Sequence, residues 1–264
     1  MLAPVAEGDT IHRTARRLAT ALGDSPLVAA EAPNPRSPLR RQRERLRSLT
    51  GRRLERAEAR GKHLLLGFER GLVLHGHQGM RGSWRVYRRG EAWQRARSGA
   101  WVVLATERSE AAEFGGPRLA LLTEAEVAAE PRLRSLGPDV LGDGFDVPAG
   151  VDALRRRATR ERELGDVLID QSVLAGVGNI YKSEGCFAAA ISPWRRLADA
   201  SDDELRRVVL ETASLMRAGV ETGRQPRDVY RRAGRPCPRC GEAISSRGQG
   251  DANRTTYWCP NCQP

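Results

Sequence analysis

Two close cysteine pairs, Cys237-Pro-Arg-Cys240 and Cys259-Pro-Asn-Cys262, stand eighteen residues apart near the C-terminus. No other feature constrains the fold as tightly. Four thiolates on two such knuckles form a closed tetrahedral zinc site, and the spacing lies inside the zinc window. Sulfur takes every position and leaves none for water, so the one zinc expected here is structural. The intervening "GEAISSRGQGDANRTTYW" reads as a β-hairpin with a Gly/Asp/Asn-rich tip, and Arg254 follows that tip. An arginine there is either solvated decoration or a bidentate grip on phosphate. The fifth cysteine, Cys186, falls in an apolar helix and reads as a small buried hydrophobe.

The 264-residue chain is basic, with 44 Lys plus Arg against 33 Asp plus Glu and a formal net charge of +11. That excess suits a polyanionic partner, most simply nucleic acid. Arginine supplies nearly all of it, as a GC-rich genome also favours, and Lys62 and Lys182 are the only lysines. From Arg36 to Lys62, eleven basic residues stand against three acidic ones, as a solvated surface or a phosphate-facing one. No stretch is long and apolar enough for a membrane span, and the first ten residues lack the pattern of a secretory signal. Paired thiols suit a reducing compartment. The expectation is a cytoplasmic protein with no membrane partner.

Along the chain, residues 11–22 have apolar positions at helical spacing, with Asp9 and Thr10 at the cap. Residues 62–122 read as short strands: "KHLLLGF", "GLVLHGH", "GSWRVYR", "WVVLATE" and "RLALLT". That spacing favours an antiparallel sandwich or barrel. Helical spacing returns at 163–171, 179–189 and 202–218, the last opened by the capping box Ser201–Glu204. The fold class is therefore α+β. An N-terminal β-sandwich with a flanking helix spans 1–123, a linker 124–150, a helical domain 151–232 and the zinc module 233–264. Within "LAGVGNIYKSE" a glycine turn leads into a helix near Asn179. Unsatisfied N–H groups there, with the helix dipole, predict an anion site that Gly176 and Gly178 let a ligand approach closely.

"AEGDTIHRTARRL", "RGKHLLLGF", "HQGMRGSW", "LGPD", "GVGNIYKSE" and "PCPRCG…NRTTYWCPNCQ" occur in this order. Over about residues 6–263 the chain thereby resembles the formamidopyrimidine-DNA glycosylase and endonuclease VIII family. The resemblance implies a monomeric bacterial base-excision repair enzyme, associated with the nucleoid, whose partner is double-stranded DNA carrying damaged bases or abasic sites. It implies base flipping, cleavage of the glycosidic bond and strand nicking, with the second domain built on a helix–two-turns–helix. By the same resemblance Glu7 is the acidic proton shuttle and Lys62 contacts DNA near the reacting nucleotide. Asn179 and Arg254 hold phosphates, and Met80 is the wedge that fills the gap left by the flipped base. Asp139 and Glu184 take supporting acidic roles, and Phe114 a place at the DNA. Two features lean towards the endonuclease VIII branch and oxidised pyrimidines. Only about ten residues, "VETGRQPRDV", lead to Tyr230, which leaves no room for a long lesion-capping loop, and the tract "GPDVLGDGFD" followed by "GDVLIDQSVLAGVGNIYKSE" is more similar to that branch. "EAAEFGG" points both ways, since it keeps Phe114 while Ala112 replaces an arginine of the purine branch.

Members of the family attack C1′ with an N-terminal proline amine. Such an amine has a pKa of about 8, so roughly one in ten is neutral at pH 7, against about one in two thousand for an ordinary lysine. Here Ala6 occupies the proline position and five residues precede it. The expectation is that Val5 marks the translation start and that trimming exposes a primary amine on Ala6. If Ala6 stays in a peptide bond, the alternative is a catalytically idle paralogue that binds damaged or abasic DNA without cleaving it. A zinc-ribbon DNA-binding regulator is a third reading, but it gives Glu7, Lys62 and Met80 no purpose.

Overall fold

The computed structural model describes residues 6–79 and 81–264. Met80, the expected wedge, and residues 1–5 lie outside the described residues. The chain divides into two compact units, one holding Ala6 and residues 11–134, the other residues 7–10 and 135–264.

The first unit is an antiparallel sandwich. Its strands are β1 (Ala29–Glu31), β2 (Leu54–Arg60), β3 (His63–Phe68), β4 (Leu72–His77), β5 (Ser83–Arg88), β6 (Val102–Ala105), β7 (Ser109–Phe114) and β8 (Arg118–Thr123). One sheet runs β1-β6-β7-β5 and the other β2-β3-β4-β8. Helix α1 (Gly8–Leu22) buries Ile11, Ala15, Leu18 and Leu22, a stripe at helical spacing, in one core with Leu64, Leu66, Phe68 and Leu74. The helix starts two residues ahead of the expected cap, so Asp9 lies in its first turn and is buried. The basic stretch from Arg36 to Lys62 is not irregular throughout, because it carries α2 (Arg43–Arg47) and β2, and most of its arginines are exposed.

Residues 124–150 are not a simple linker either. A Thr123–Glu126 capping box starts α3 (Glu124–Ala129), α4 (Pro131–Arg134) follows, and both belong to the sandwich unit. The second unit is helical, with α5 (Val147–Arg157), α6 (Leu164–Leu168), α7 (Asn179–Ala188) and α8 (Asp202–Thr222). It ends in the hairpin β9 (Ser245–Gln249) and β10 (Arg254–Trp258). Helix α8 opens with the expected box, Ser201 Oγ accepting from Glu204 N at 3.2 Å while the Glu204 carboxylate accepts from Ser201 N at 2.8 Å. It closes on Gly223 in the left-handed region (φ 72°), which spares a side chain the steric penalty. Every residue of α7 from Ile180 to Phe187 is buried.

Loss of one side of that box is worth about 1 kcal/mol. Ser201→Ala is therefore expected to lower the calorimetric transition of the second unit by about 2–4 °C. An unshifted transition would mean that packing alone holds the start of α8.

Candidate active site and zinc hairpin

The first turn of α7 leaves backbone amides with no partner inside the helix. Ile180 N donates to Glu7 Oε1 at 2.9 Å and Tyr181 N to Glu7 Oε2 at 3.4 Å. The Glu7 carboxylate, 2% exposed, is thus an anion of the protein's own at this helix start. A helix N-terminus favours negative charge, so the carboxylate and the amides satisfy one another. Gly178 makes the approach possible, since a Cβ there would run into the Glu7 carboxyl group. Gly8 N donates to Gly176 O at 2.9 Å, which ties the residue after Glu7 to the same turn. Gly176 itself needs its positive φ of 92°.

The turn is braced from two sides. Gln171 Nε2 donates to Ile169 O at 2.8 Å and to Val177 O at 2.9 Å, while its Oε1 accepts from Gly176 N at 3.1 Å. From the "LGPD" segment, Ala175 N donates to Pro138 O at 2.9 Å and Val140 N to Ala175 O at 3.2 Å. Asp139 bridges Ala175 through its backbone, and its carboxylate accepts from Leu141 N at 3.1 Å. On the far side of Glu7, Gln225 Nε2 donates to Asp9 Oδ1 at 3.2 Å. Glutamines 171 and 225 escaped the sequence reading because neither sits in a spaced motif.

The hairpin docks on the other flank of α7. Asn179 Nδ2 donates to Thr255 O at 2.7 Å, Tyr257 N to Ser183 Oγ at 3.4 Å, and Arg239 Nη1 to Phe187 O at 2.7 Å. Asn179 keeps a second N–H for another acceptor. Arg254, at the head of β10, is exposed and has no ion-pair partner among the described residues. Glu184 is buried, and its carboxylate accepts from Asp228 N and Val229 N, each at 3.1 Å, and from Tyr230 N at 2.7 Å. Burial pushes its pKa up, against the three amides that pull it down. Its part is to anchor the segment that leads into the zinc module.

The sulfurs of Cys237, Cys240, Cys259 and Cys262 all lie within 4.8 Å of one another. Cys237 and Cys262 are 3.9 Å apart and Cys240 and Cys259 3.5 Å. A zinc–sulfur bond of about 2.3 Å gives tetrahedral edges of roughly 3.8 Å, so four thiolates gathered this closely suit one zinc ion. Cys186 is fully buried and its thiol is pushed up to about 12 by desolvation, which leaves it inert.

In the sandwich unit Lys62 follows the positive-φ turn residue Gly61 and leads into β3. The neighbouring His77 is held below its ordinary pKa by burial first and by the Lys62 charge second. Phe114 corrects an expectation. It is 1% exposed and packs with Tyr87, Ala100, Val103 and Ala112, so its ring belongs to a core and offers DNA no surface. Ala6 packs against the edge of the main core of this unit.

Three family models cover nearly all of the chain. The formamidopyrimidine-DNA glycosylase N-terminal domain matches residues 5–121, the formamidopyrimidine-DNA glycosylase H2TH domain 136–229, and the zinc finger found in FPG and IleRS 234–264. A probable endonuclease 8 2 of Streptomyces coelicolor is 39% identical over 97% of this chain and 93% of its own length. The chain belongs to the formamidopyrimidine-DNA glycosylase and endonuclease VIII family. Endonuclease 8 of Klebsiella pneumoniae is 32% identical, over 97% of this chain and 99% of that protein. A formamidopyrimidine-DNA glycosylase of Methylococcus capsulatus is 35% identical over 82% and 84%. In fold, the chain matches Lactococcus lactis Fpg in a complex with DNA containing an abasic site, at TM-score 0.83 and 21% identity. That match covers 97% of this chain and 99% of the other.

For this family member the glycine beside Glu7 makes a direct test. Gly178→Ala displaces the carboxylate, and misplacement by about 1 Å costs roughly 10²-fold in rate. The expected result is that loss on a damaged duplex with zinc content still near one per chain. Full activity in the variant would sever Glu7 from the chemistry.

Proposed function

We propose that the protein is a DNA glycosylase with abasic-site lyase activity, acting on oxidised bases with pyrimidines favoured. The reading is carried by one observation: a buried carboxylate, oriented by the amides of α7, adjoins Ala6 in the chain. In this scheme the neutral amine of a processed Ala6 attacks C1′ of the flipped-out nucleotide. The C1′–N bond breaks with its electron pair on the departing base, which Glu7 helps to protonate. Loss of the sugar-ring oxygen from C1′ then leaves an imine, and elimination nicks the strand at the 3′ and then the 5′ phosphate. A buried, oriented carboxylate is suited to moving those protons in turn.

The remaining roles follow from charge and placement. Arg254 and the second N–H of Asn179 grip phosphates next to the lesion, and Lys62 contacts DNA near the reacting nucleotide. Met80 is the wedge, and Asp139 and Glu184 support the turn and the hairpin. Zinc takes no part in bond breaking, since sulfur occupies its whole coordination sphere. It keeps the hairpin folded and so keeps Arg254 in place.

The nucleophile separates this enzyme from a paralogue that only binds. Borohydride reduces an imine to a stable amine, so covalent trapping on abasic-site DNA reports an attacking amine directly. A version beginning at Ala6 is expected to trap, and the chain beginning at Met1 is expected to bind the same DNA without trapping. Trapping by the longer chain that vanishes in Lys62→Ala would make Lys62 the nucleophile. Failure of all versions to trap would leave the idle paralogue. Arg254→Ala is expected to weaken binding to every duplex and to lower the salt slope by about one unit. An unchanged slope would put this arginine in solvent.

A further inference from the structure

Lys182 lies on α7 and is 0% exposed. Lysine is almost never fully buried unless a carboxylate pairs with it. Among the described residues none does. Its Nζ donates instead to the hydroxyl of Thr256. That hydroxyl donates on to Gln249 Oε1 at 2.7 Å, and Gln249 Nε2 donates to Glu163 Oε2 at 2.9 Å and Pro193 O at 2.8 Å. Two neutral groups, the Thr256 hydroxyl and the Gln249 amide, therefore stand between the ammonium and the Glu163 carboxylate at the end of the relay, and no carboxylate among the described residues touches Nζ.

Its place relative to the phosphate-gripping groups follows from two periodicities. Lys182 comes three residues after Asn179 on α7, so the two side chains leave the same face of the helix. Thr256 comes two residues after Arg254 on β10, so those two share a face of the hairpin. The ammonium thus sits where the Asn179 face of the helix meets the Arg254 face of the strand. The charged and titratable groups around it are the Cys186 thiol on α7, Arg254 on β10, Asp166 on α6 and Glu7 ahead of α1. Both carboxylates are already engaged, Asp166 by Arg162 at 2.7 Å and Glu7 by the α7 amides.

We propose that Lys182 is a third, buried cation of the phosphate grip, and that a DNA phosphate held by Asn179 and Arg254 is its missing counter-ion. This rests on the reading of those two residues as phosphate contacts. Lys182 is a positioning residue that acts through the field and not by touching the reacting atoms. A charge pair inside the protein is screened far less than one in water, so a buried ammonium still acts on a nearby phosphate.

A consequence for pH follows. Burial first, and Arg254 next among the groups that oppose its charge, bring the ammonium of the free protein down to about 8. An arriving phosphate favours the charged form and raises that value. The gain in affinity is then complete below about pH 8 and is lost as pH rises through the value in the complex, at up to about tenfold per unit.

The test uses full-length, zinc-loaded protein and a duplex with a tetrahydrofuran abasic analogue, with Kd measured from pH 6.5 to 9.5 at constant ionic strength. The wild type is expected to hold its affinity to about pH 8 and then lose it. Lys182→Arg, charged throughout, is expected to bind with no such fall, and Lys182→Met to bind about tenfold more weakly at pH 7 with a flat profile. Calorimetry in two buffers of different ionisation heat gives a second reading that needs no methionine variant. The wild type is expected to take up about half a proton per duplex at pH 8, and Lys182→Arg none. A wild-type profile in Lys182→Arg, wild-type affinity in Lys182→Met or absence of proton uptake by the wild type would overturn the proposal. Asn179→Ala and Arg254→Ala separate the two levels. If neither weakens binding, the grip itself is wrong. If they weaken it while the Lys182 variants behave as wild type, only the third cation is wrong.

Discussion

The amides that open α7 have no helical partner, and Glu7 takes two of them. An unpaired buried amide costs about as much as a lost hydrogen bond, and an unpaired buried carboxylate costs more. Each group is therefore stable in this interior because of the other. The turn that brings them together needs Gly176 at positive φ and Gly178 without a side chain, with Gln171 and the Pro138–Val140 segment bracing the backbone. The site is a consequence of how a helix start was satisfied.

The same accounting continues down the helix. A helix buried on all sides is usually apolar. This one carries Lys182, Ser183 and Glu184 inside, and each is used to hold a different neighbour. Ser183 Oγ accepts from the backbone of Tyr257, Glu184 gathers the amides of residues 228–230, and Lys182 meets Thr256. Polar contacts fix direction in a way that apolar packing does not, so the hairpin has one orientation on α7. Zinc closes the base of that hairpin and α7 positions its stem.

Much of this was readable from residue order. The zinc module, the hairpin, α7, α8 and the five apolar strands lie where spacing predicts. Strand β2 was missed because "LERAEAR" has only alanines between its charges after Leu54, and Arg56 pairs with Glu58 along the strand and with Glu124 beyond it. Strand β7 was missed because it pairs on both sides and is buried through alanines, which leave no alternating pattern. In the site, the anion at α7 could be inferred from the glycine turn, but its identity could not. Glu7 lies 173 residues ahead of the amide it accepts from. Lys182 stood out as a rare lysine, yet its partner Thr256 is 74 positions away. Local periodicity carries information over a few turns, and these pairings are set by tertiary packing.

Gly178 gives the arrangement a genetic side. Any side chain at 178 occupies the space of the Glu7 carboxyl group, and any loss of Glu7 strands the amides that the turn was shaped to present. Positions 7 and 178 therefore behave as a single locus under mutation. A change at 178 brings the defect of a change at 7, and a second-site revertant has to move the turn itself rather than restore either residue alone.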